Sequence, residues 1–371
     1  LLLIAYSFSM CKQWFTATSE PVNNTYSQRF LPKTGQTTCY DASSAVPCSS
    51  TYGTDGNTQT GVPWPNPRFI NNGDGTVIDR LTGLMWQQDG SHSDTWENAL
   101  SYCENLTLAG YSDWRLPNIN ELRSLVNYEY DNQSSWLNTQ GFTGIQTGSY
   151  WSSTTNSTTT TEAMYVLMSV GTIYNITKTS TFLILAVRAG YGLTGAVSLP
   201  KTGQTTSYAA GDDGEYRWGA ACPSPRFTDN GEGTITDNLT GLMWVQNGNL
   251  MTTRNPTFDN DPPANDGAVT WQHALDYIAQ LNNERYLGYS DWRLPNINEL
   301  ASLLNWGYNG NQSDWLNSQG FTNINTTNYL SASTYINVTT SVLVIQMNNI
   351  IMIKSSSKGA GNYVLAVRGG Q

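Results

Sequence analysis

Titratable and nucleophilic side chains are sparse in this chain, and the way they recur is more informative than their number. Two histidines occur in 371 residues, His92 in a polar stretch and His273 within a helical pattern. Neither has a counterpart at the matching place of the internal repeat described below. His-Glu-x-x-His, Gly-x-Ser-x-Gly, P-loop and dinucleotide fingerprints are absent, so the commonest hydrolase and nucleotide chemistries lack their parts. Carboxylates are better placed: Asp113 and Glu121 flank Arg115, and the same set recurs as Asp291, Arg293 and Glu299. Two carboxylates at one cleft could serve as acid and base in glycoside hydrolysis. An arginine held between acids beside a tryptophan is, however, the pattern of a buried structural ion pair. We therefore assign Asp113, Arg115, Glu121, Asp291, Arg293 and Glu299 to structural ion pairs, which Arg188 and Arg368 could complete. No catalytic, cofactor-binding or metal-ligating residue is assigned, and no enzymatic activity is expected. Asp74 and Glu232 sit in turns too short to build a calcium cage.

Five cysteines sharpen the setting. Cys39 and Cys48 bracket a short loop with Pro47 inside it, and a disulfide between them is expected in an oxidising compartment. Cys11, Cys103 and Cys222 form no Cys-x-x-Cys and no zinc-type spacing, and Cys103 falls on the apolar face of an expected helix.

The elements that must position these groups come in two copies. Pro32-Lys-Thr-Gly-Gln-Thr-Thr38 recurs at 200–206 and opens each of them. In each, Pro-Arg-Phe (67–69; 225–227) leads through Gly-Asp-Gly or Gly-Glu-Gly to Leu-Thr-Gly-Leu-Met-Trp (81–86; 239–244), as strands joined by a hairpin turn. Trp96, Ala99, Leu100 and Cys103 then fall on one face of a helix for which Thr95 is the expected cap. Gly110 to Leu122 repeats letter for letter as Gly288 to Leu300, and Pro117 or Pro295 is expected to start a second helix. Strand patterns close each copy: 163–168, 172–176 and 182–188 in the first, 341–347, 350–353 and 363–368 in the second. The boundaries are 1–31 for a leading segment, 32–190 for the first repeat domain, 191–199 for a linker and 200–371 for the second repeat domain. An insertion of about twenty residues near 249–268 in the second copy is expected to be an exposed loop.

Composition points outward from the cell. Charged residues are 12% of the chain against the usual share of roughly 25%. The net charge is −10, with both repeats acidic, which argues against nucleic acid, anionic membranes and sulfated polysaccharides as partners. No full signal peptide or spanning helix is visible. Ile4, Tyr6, Phe8 and Met10 alternate with Ala5, Ser7 and Ser9, the period of a strand with one buried face. Such a strand either folds back on its own domain or adds to a sheet edge of a neighbouring copy. The two Leu-Pro-Lys-Thr-Gly runs (31–35; 199–203) lack the apolar span and basic tail of a sorting signal, and are taken as turns leading into each domain.

The set Leu-Thr-Gly-Leu-Met-Trp, Asp-Trp-Arg-Leu-Pro with Asn-Glu-Leu, Tyr150-Trp-Ser-Ser153 and Val-Arg-Gly-Gly (367–370) resembles a bacterial family named after the C-terminal domain of the Legionella collagen-like adhesin. The resemblance covers both copies; Leu330-Ser-Ala332 departs from the Trp-Ser-Ser of the first. It implies an extracellular or cell-surface location and an α+β fold: two tandem C-type-lectin-like domains, each with two helices packed on small twisted antiparallel sheets, preceded by an N-terminal extended strand. The leading functional expectation is a structural subunit that polymerises with itself into a surface filament, through Ile4, Tyr6, Phe8 and Met10. The alternative is a monomeric adhesin or lectin-like protein that binds a glycan or host-surface ligand. No cofactor is expected.

Overall fold

Among the described residues the first element is a short hairpin, β1 (Cys39–Tyr40) with β2 (Ala45–Val46), closed by a disulfide between Cys39 and Cys48. The computed structural model describes residues 31–190, 194–261, 263–349 and 352–369. Ile4, Tyr6, Phe8, Met10 and Cys11 lie outside them. One turn of helix, α1 (Asp55–Thr58), follows the hairpin. Gly56 is obligatory there, because a Cβ would stand 2.2 Å from the carbonyl oxygen of Thr38.

The first repeat then builds two sheets. β3 (Phe69–Asn71), β4 (Thr76–Asp79) and β5 (Leu84–Gln87) form an antiparallel meander, with Gly73 and Gly75 supplying the positive φ of the hairpin turn. After β6 (Ser93–Asp94) comes α2 (Trp96–Asn105), which buries Trp96, Ala99, Leu100 and Cys103 as the spacing requires. Thr95 occupies the cap position, but its side chain makes no capping bond. The next helix, α3 (Ile119–Arg123), starts two residues beyond Pro117: Asn118 and Glu121 close a capping box, so that pair and not the proline sets its start. A further helix, α4 (Gln133–Thr139), brings the number per repeat above the two expected. β7 (Ser149–Thr155), β8 (Glu162–Leu167) and β9 (Thr172–Thr177) form a second meander. The stretch expected as one strand over 182–188 divides into β10 (Phe182–Leu183), paired with β6 and β7, and β11 (Val187–Ala189), which joins β5.

The second repeat retraces this order. Its elements are α5 (Asp213–Tyr216), β12 (Phe227–Asp229), β13 (Thr234–Asp237), β14 (Met243–Val245), α6 (Leu250–Arg254), α7 (Trp271–Asn283), α8 (Ile297–Ser302), α9 (Gln312–Ser318), β15 (Asn328–Thr334), β16 (Ser341–Gln346), β17 (Met352–Ser357) and β18 (Val367–Arg368). The 249–268 insertion is not simply an exposed loop. It carries α6, and Leu250 and Met251 are buried in the core beside Val245 and Trp271.

The halves are joined by their sheets. β17 pairs antiparallel with β9 through Ile353 and Ile173, two fully buried residues at matching places of the repeat. The result is one eight-stranded sheet in the order β15-β16-β17-β9-β8-β7-β10-β6, with an approximate two-fold relation at its centre. The largest apolar core draws on both halves, from Phe69 and Trp86 to Trp244 and Val367, whereas a smaller core lies within each. The fold is mixed α and β with small antiparallel sheets in two similar regions. No helix among the described residues is long and apolar enough to cross a membrane.

Candidate functional site

The repeated Pro-Lys-Thr-Gly-Gln-Thr-Thr runs do more than lead into a domain. Each begins a strap, 31–62 or 199–220, whose ends meet in a parallel bridge, Pro32 with Val62 and Pro200 with Ala220. Each strap touches its own repeat briefly: Tyr128 donates its backbone N–H to Thr34, and Trp306 donates to Thr202, both at 3.0 Å. The first strap also donates to Glu129 of its own repeat from the backbone N–H groups of Thr37 and Thr38, at 2.7 and 3.1 Å, and a further set of bonds from each strap crosses to the other repeat. Gln36 exchanges two hydrogen bonds with the backbone of Thr334, both 3.0 Å. Gln204 does the same with Thr155, at 2.8 and 3.1 Å. Asn296 donates to the carbonyl of Thr60 and Asn298 to that of Pro32, as Asn118 does to Trp218 and Asn120 to Pro200, all at 3.1 Å. The unit that recurs in sequence is therefore not the unit that packs. The boundaries 32–190 and 200–371 mark the repeat, while residues 32–62 are held mainly by the second half.

Each strap delivers one carboxyl into the seam. Asp55 Oδ2 accepts from the hydroxyls of Thr34, at 2.8 Å, and Ser333, at 2.5 Å. Asp213 accepts from Thr154 at 2.7 Å and from Thr202. Both acids are fully buried, and Oδ1 of each lacks a hydrogen-bond partner among the described residues. Burial pushes each up to about 6, against the smaller opposing effect of the hydroxyl donors. Each strap also delivers one tyrosine. Lys358 lies over Trp271, its Nζ 4.2 Å from the ring centroid, and over Tyr40 of the first strap at 5.6 Å. Lys178 lies over Trp96 at 3.9 Å and Tyr208 of the second strap at 5.3 Å. Desolvation pushes both ammonium groups down to about 8.

The letter-for-letter repeat supplies the frame behind the straps. Arg115 forms a two-pronged pair with Glu121, both contacts 2.6 Å, and Arg293 does so with Glu299 at 2.6 and 2.7 Å. Glu121 also accepts the backbone N–H of Asn118 at 2.9 Å, so its oxygens are engaged by the helix start and the guanidinium. Asp113 pairs with Arg188 at 2.7 and 3.0 Å, and Asp291 with Arg368 at 2.7 Å. Hydrogen bonding from Arg188 holds the Asp113 carboxyl below its ordinary range. The two carboxylates of each set are thus held by separate arginines, an arrangement that locks α3 and α8. Arg68 with Asp79 and Arg226 with Asp237 add further pairs, unremarked in sequence, and tie the first meander of each half to the carbonyls of Ser124 and Ser302.

The histidines are placed apart. His92 stacks on Tyr102, and His273 contacts Asp261 at 3.0 Å. Cys103 is buried and its thiol pushed up by desolvation, whereas Cys222 is exposed. Among the described residues no group of three or more His, Cys, Asp or Glu is arranged to hold a metal ion. Asp55 and Asp213 were not singled out from sequence. The available signal was the Asp-Gly pair that recurs behind each Pro-Lys-Thr-Gly run, obscured by the disulfide loop that lengthens the first strap.

A search of the curated proteins finds no match. The family model of the Lcl C-terminal domain matches residues 75–188 and 233–368, well over half of the chain, and the two matches hold the Arg115–Glu121 and the Arg293–Glu299 pair respectively. The chain therefore belongs to the Lcl C-terminal domain family and carries that domain twice.

Proposed function

We propose that this protein is an extracellular structural subunit of a bacterial surface filament, polymerised by adding the segment around Ile4, Tyr6, Phe8 and Met10 to a sheet edge of the next copy. The observation that carries the reading is the interlocked strap that follows this segment. Tension applied ahead of Leu31 enters residues 32–62, which are bonded to both halves and cross-linked internally by Cys39 and Cys48. Load is thereby shared by the whole subunit and does not peel one domain from the other. Strand addition suits this role because it satisfies backbone donors along the whole donor strand and fixes register. A heterologous contact of that kind yields an open filament when its rotation does not close. β3 and β12, each paired on one side only within their four-stranded sheets, are available edges.

Membership of a family related to a surface adhesin supports the cell-surface location, and the paired state of the buried carboxylates supports a non-enzymatic role. A C-type-lectin-like arrangement of each half belongs to the same reading. The test is deletion of residues 1–11 followed by electron microscopy and light scattering. Folded monomers are expected from the deletion and filaments from the intact chain; filaments formed equally well by both would overturn the proposal. The second reading, a monomeric adhesin or lectin-like protein, is favoured by one observation, an exposed indole beside a cleft, and predicts monomers in both preparations.

A further inference from the structure

Trp218 stands at a station that a threonine fills in the other half, where Asn296 reaches both the carbonyl and the hydroxyl of Thr60 at 3.1 Å. The carbonyl of Trp218 accepts from Asn118 at the same distance, 3.1 Å. Thr60 is 2% exposed, whereas Trp218 leaves 45% of its surface in water. A large apolar ring held partly in water forgoes some of the stabilisation that full burial would give. The repeat shows that a small polar residue serves the architecture equally well.

Beside the indole opens a cleft of about 200 Å³, with Arg115 and Glu121 lining it and Thr82, Leu84 and Ser198 around them. The Arg115 guanidinium carbon lies 4.9 Å from the indole centroid, which fixes the ring over the cleft. In the second half Arg293 also donates to the carbonyl of Gly369 at 2.8 Å. The guanidinium of Arg115 carries five N–H donors, of which the two contacts to Glu121 engage two.

We propose that this cleft binds a neutral pyranose, stacked by its C–H face on Trp218 and hydrogen-bonded by its hydroxyls to Arg115 and the neighbouring Ser198 hydroxyl. The size fits one sugar ring, being below the roughly 300–1,000 Å³ that encloses drug-sized ligands. Charge selects against the alternatives. Glu121 cancels Arg115, Asp113 stands half-exposed nearby, Glu104 bonds the adjoining Tyr216, and the chain as a whole carries −10. Sulfated chains and nucleic acid are repelled by such a rim. An amphipathic ring with one apolar face and many hydroxyls matches an indole next to fixed N–H and O–H groups.

The site does not depend on polymerisation and is tested on the intact chain whatever its assembly state. Saturation-transfer NMR with methyl glycosides of glucose, galactose, mannose and N-acetylglucosamine, with heparin as the anionic probe, would be compared for wild type, Trp218→Thr and Trp218→Phe. Trp218→Thr installs the residue the other half already accommodates at this station, so folding is retained. At least one neutral glycoside is expected to bind, about tenfold or more weaker in Trp218→Thr, with Trp218→Phe within about threefold of wild type. No binding of any neutral glycoside, equal binding in Trp218→Thr, or binding of heparin alone would overturn the proposal.

Discussion

The two halves share a frame and differ where the frame is indifferent. Both keep the Arg115–Glu121 type of pair, the strap glutamine, the buried strap aspartate and the lysine between two aromatic rings. They part company at the strap's loop, which holds a disulfide in the first half only, at Trp218 against Thr60, and at the α6 insertion. Shared features lie in the seam or behind it; the divergent ones are mixed, Trp218 reaching water while Thr60 and the Leu250 and Met251 of α6 are buried. Assembly of the halves therefore fixes a residue more firmly than membership of a half does.

That contrast can be broken most forcefully at the shared pairs. Glu121→Ala and Glu299→Ala each leave a buried guanidinium uncompensated, and each is expected to cost about 3–5 kcal/mol in urea unfolding. Closely similar losses would sharpen the equivalence; a loss in one half alone would break it. Replacing Cys39 and Cys48 together by serine removes a short loop closure, with an expected loss of about 2.5 kcal/mol. Because the second strap has no such bridge, reduction should act through the first strap, seen as faster hydrogen exchange at residues 36–62 and not at 204–220.

Smaller still is the pH effect of the strap aspartates. Their folded values lie near 6, above the ordinary 3.8, so the folded state holds the proton more tightly. The stability they contribute is complete below about pH 4 and is lost as pH rises through about 6. Between pH 5 and 7 the loss is roughly 1 kcal/mol per site. Asp55→Asn with Asp213→Asn should flatten that slope in unfolding measured across the interval; an unchanged slope would remove these residues as its origin. The smallest effect is expected at Trp218→Thr, within about 0.5 kcal/mol of wild type, since nearly half of the residue already faces water and the matching station holds a threonine.

Much of the local structure was legible from residue spacing. The face of α2 followed from Trp96, Ala99, Leu100 and Cys103, and the β3–β4 turn followed from its glycines. α4 was missed because Trp136 and Leu137 are adjacent and set no helical period among polar neighbours. The 182–188 run appeared continuous because Leu183 to Val187 are buried throughout, and burial on all sides hides a change of sheet. The strap crossing was illegible for a stronger reason. When two repeats carry nearly the same docking surface, a strap fits its own and its neighbour's alike, and spacing within one copy cannot tell which is used. The ion-pair residues were recognised by type, but their pairing was not: Asp113 reaches across to Arg188 and leaves Arg115 to Glu121.

The crossing of the straps also sets an order of events during synthesis. Gln36 and its partner Thr334 are 298 residues apart, and Asp55 and Ser333 are 278 apart. The first strap thus leaves the ribosome 278 to 298 residues before its principal docking surface is made. Contacts of such long range are slow to form and leave apolar surface uncovered meanwhile. Completion of the seam has to wait until residues 333–334 have been made, so the two repeats mature together and not one by one.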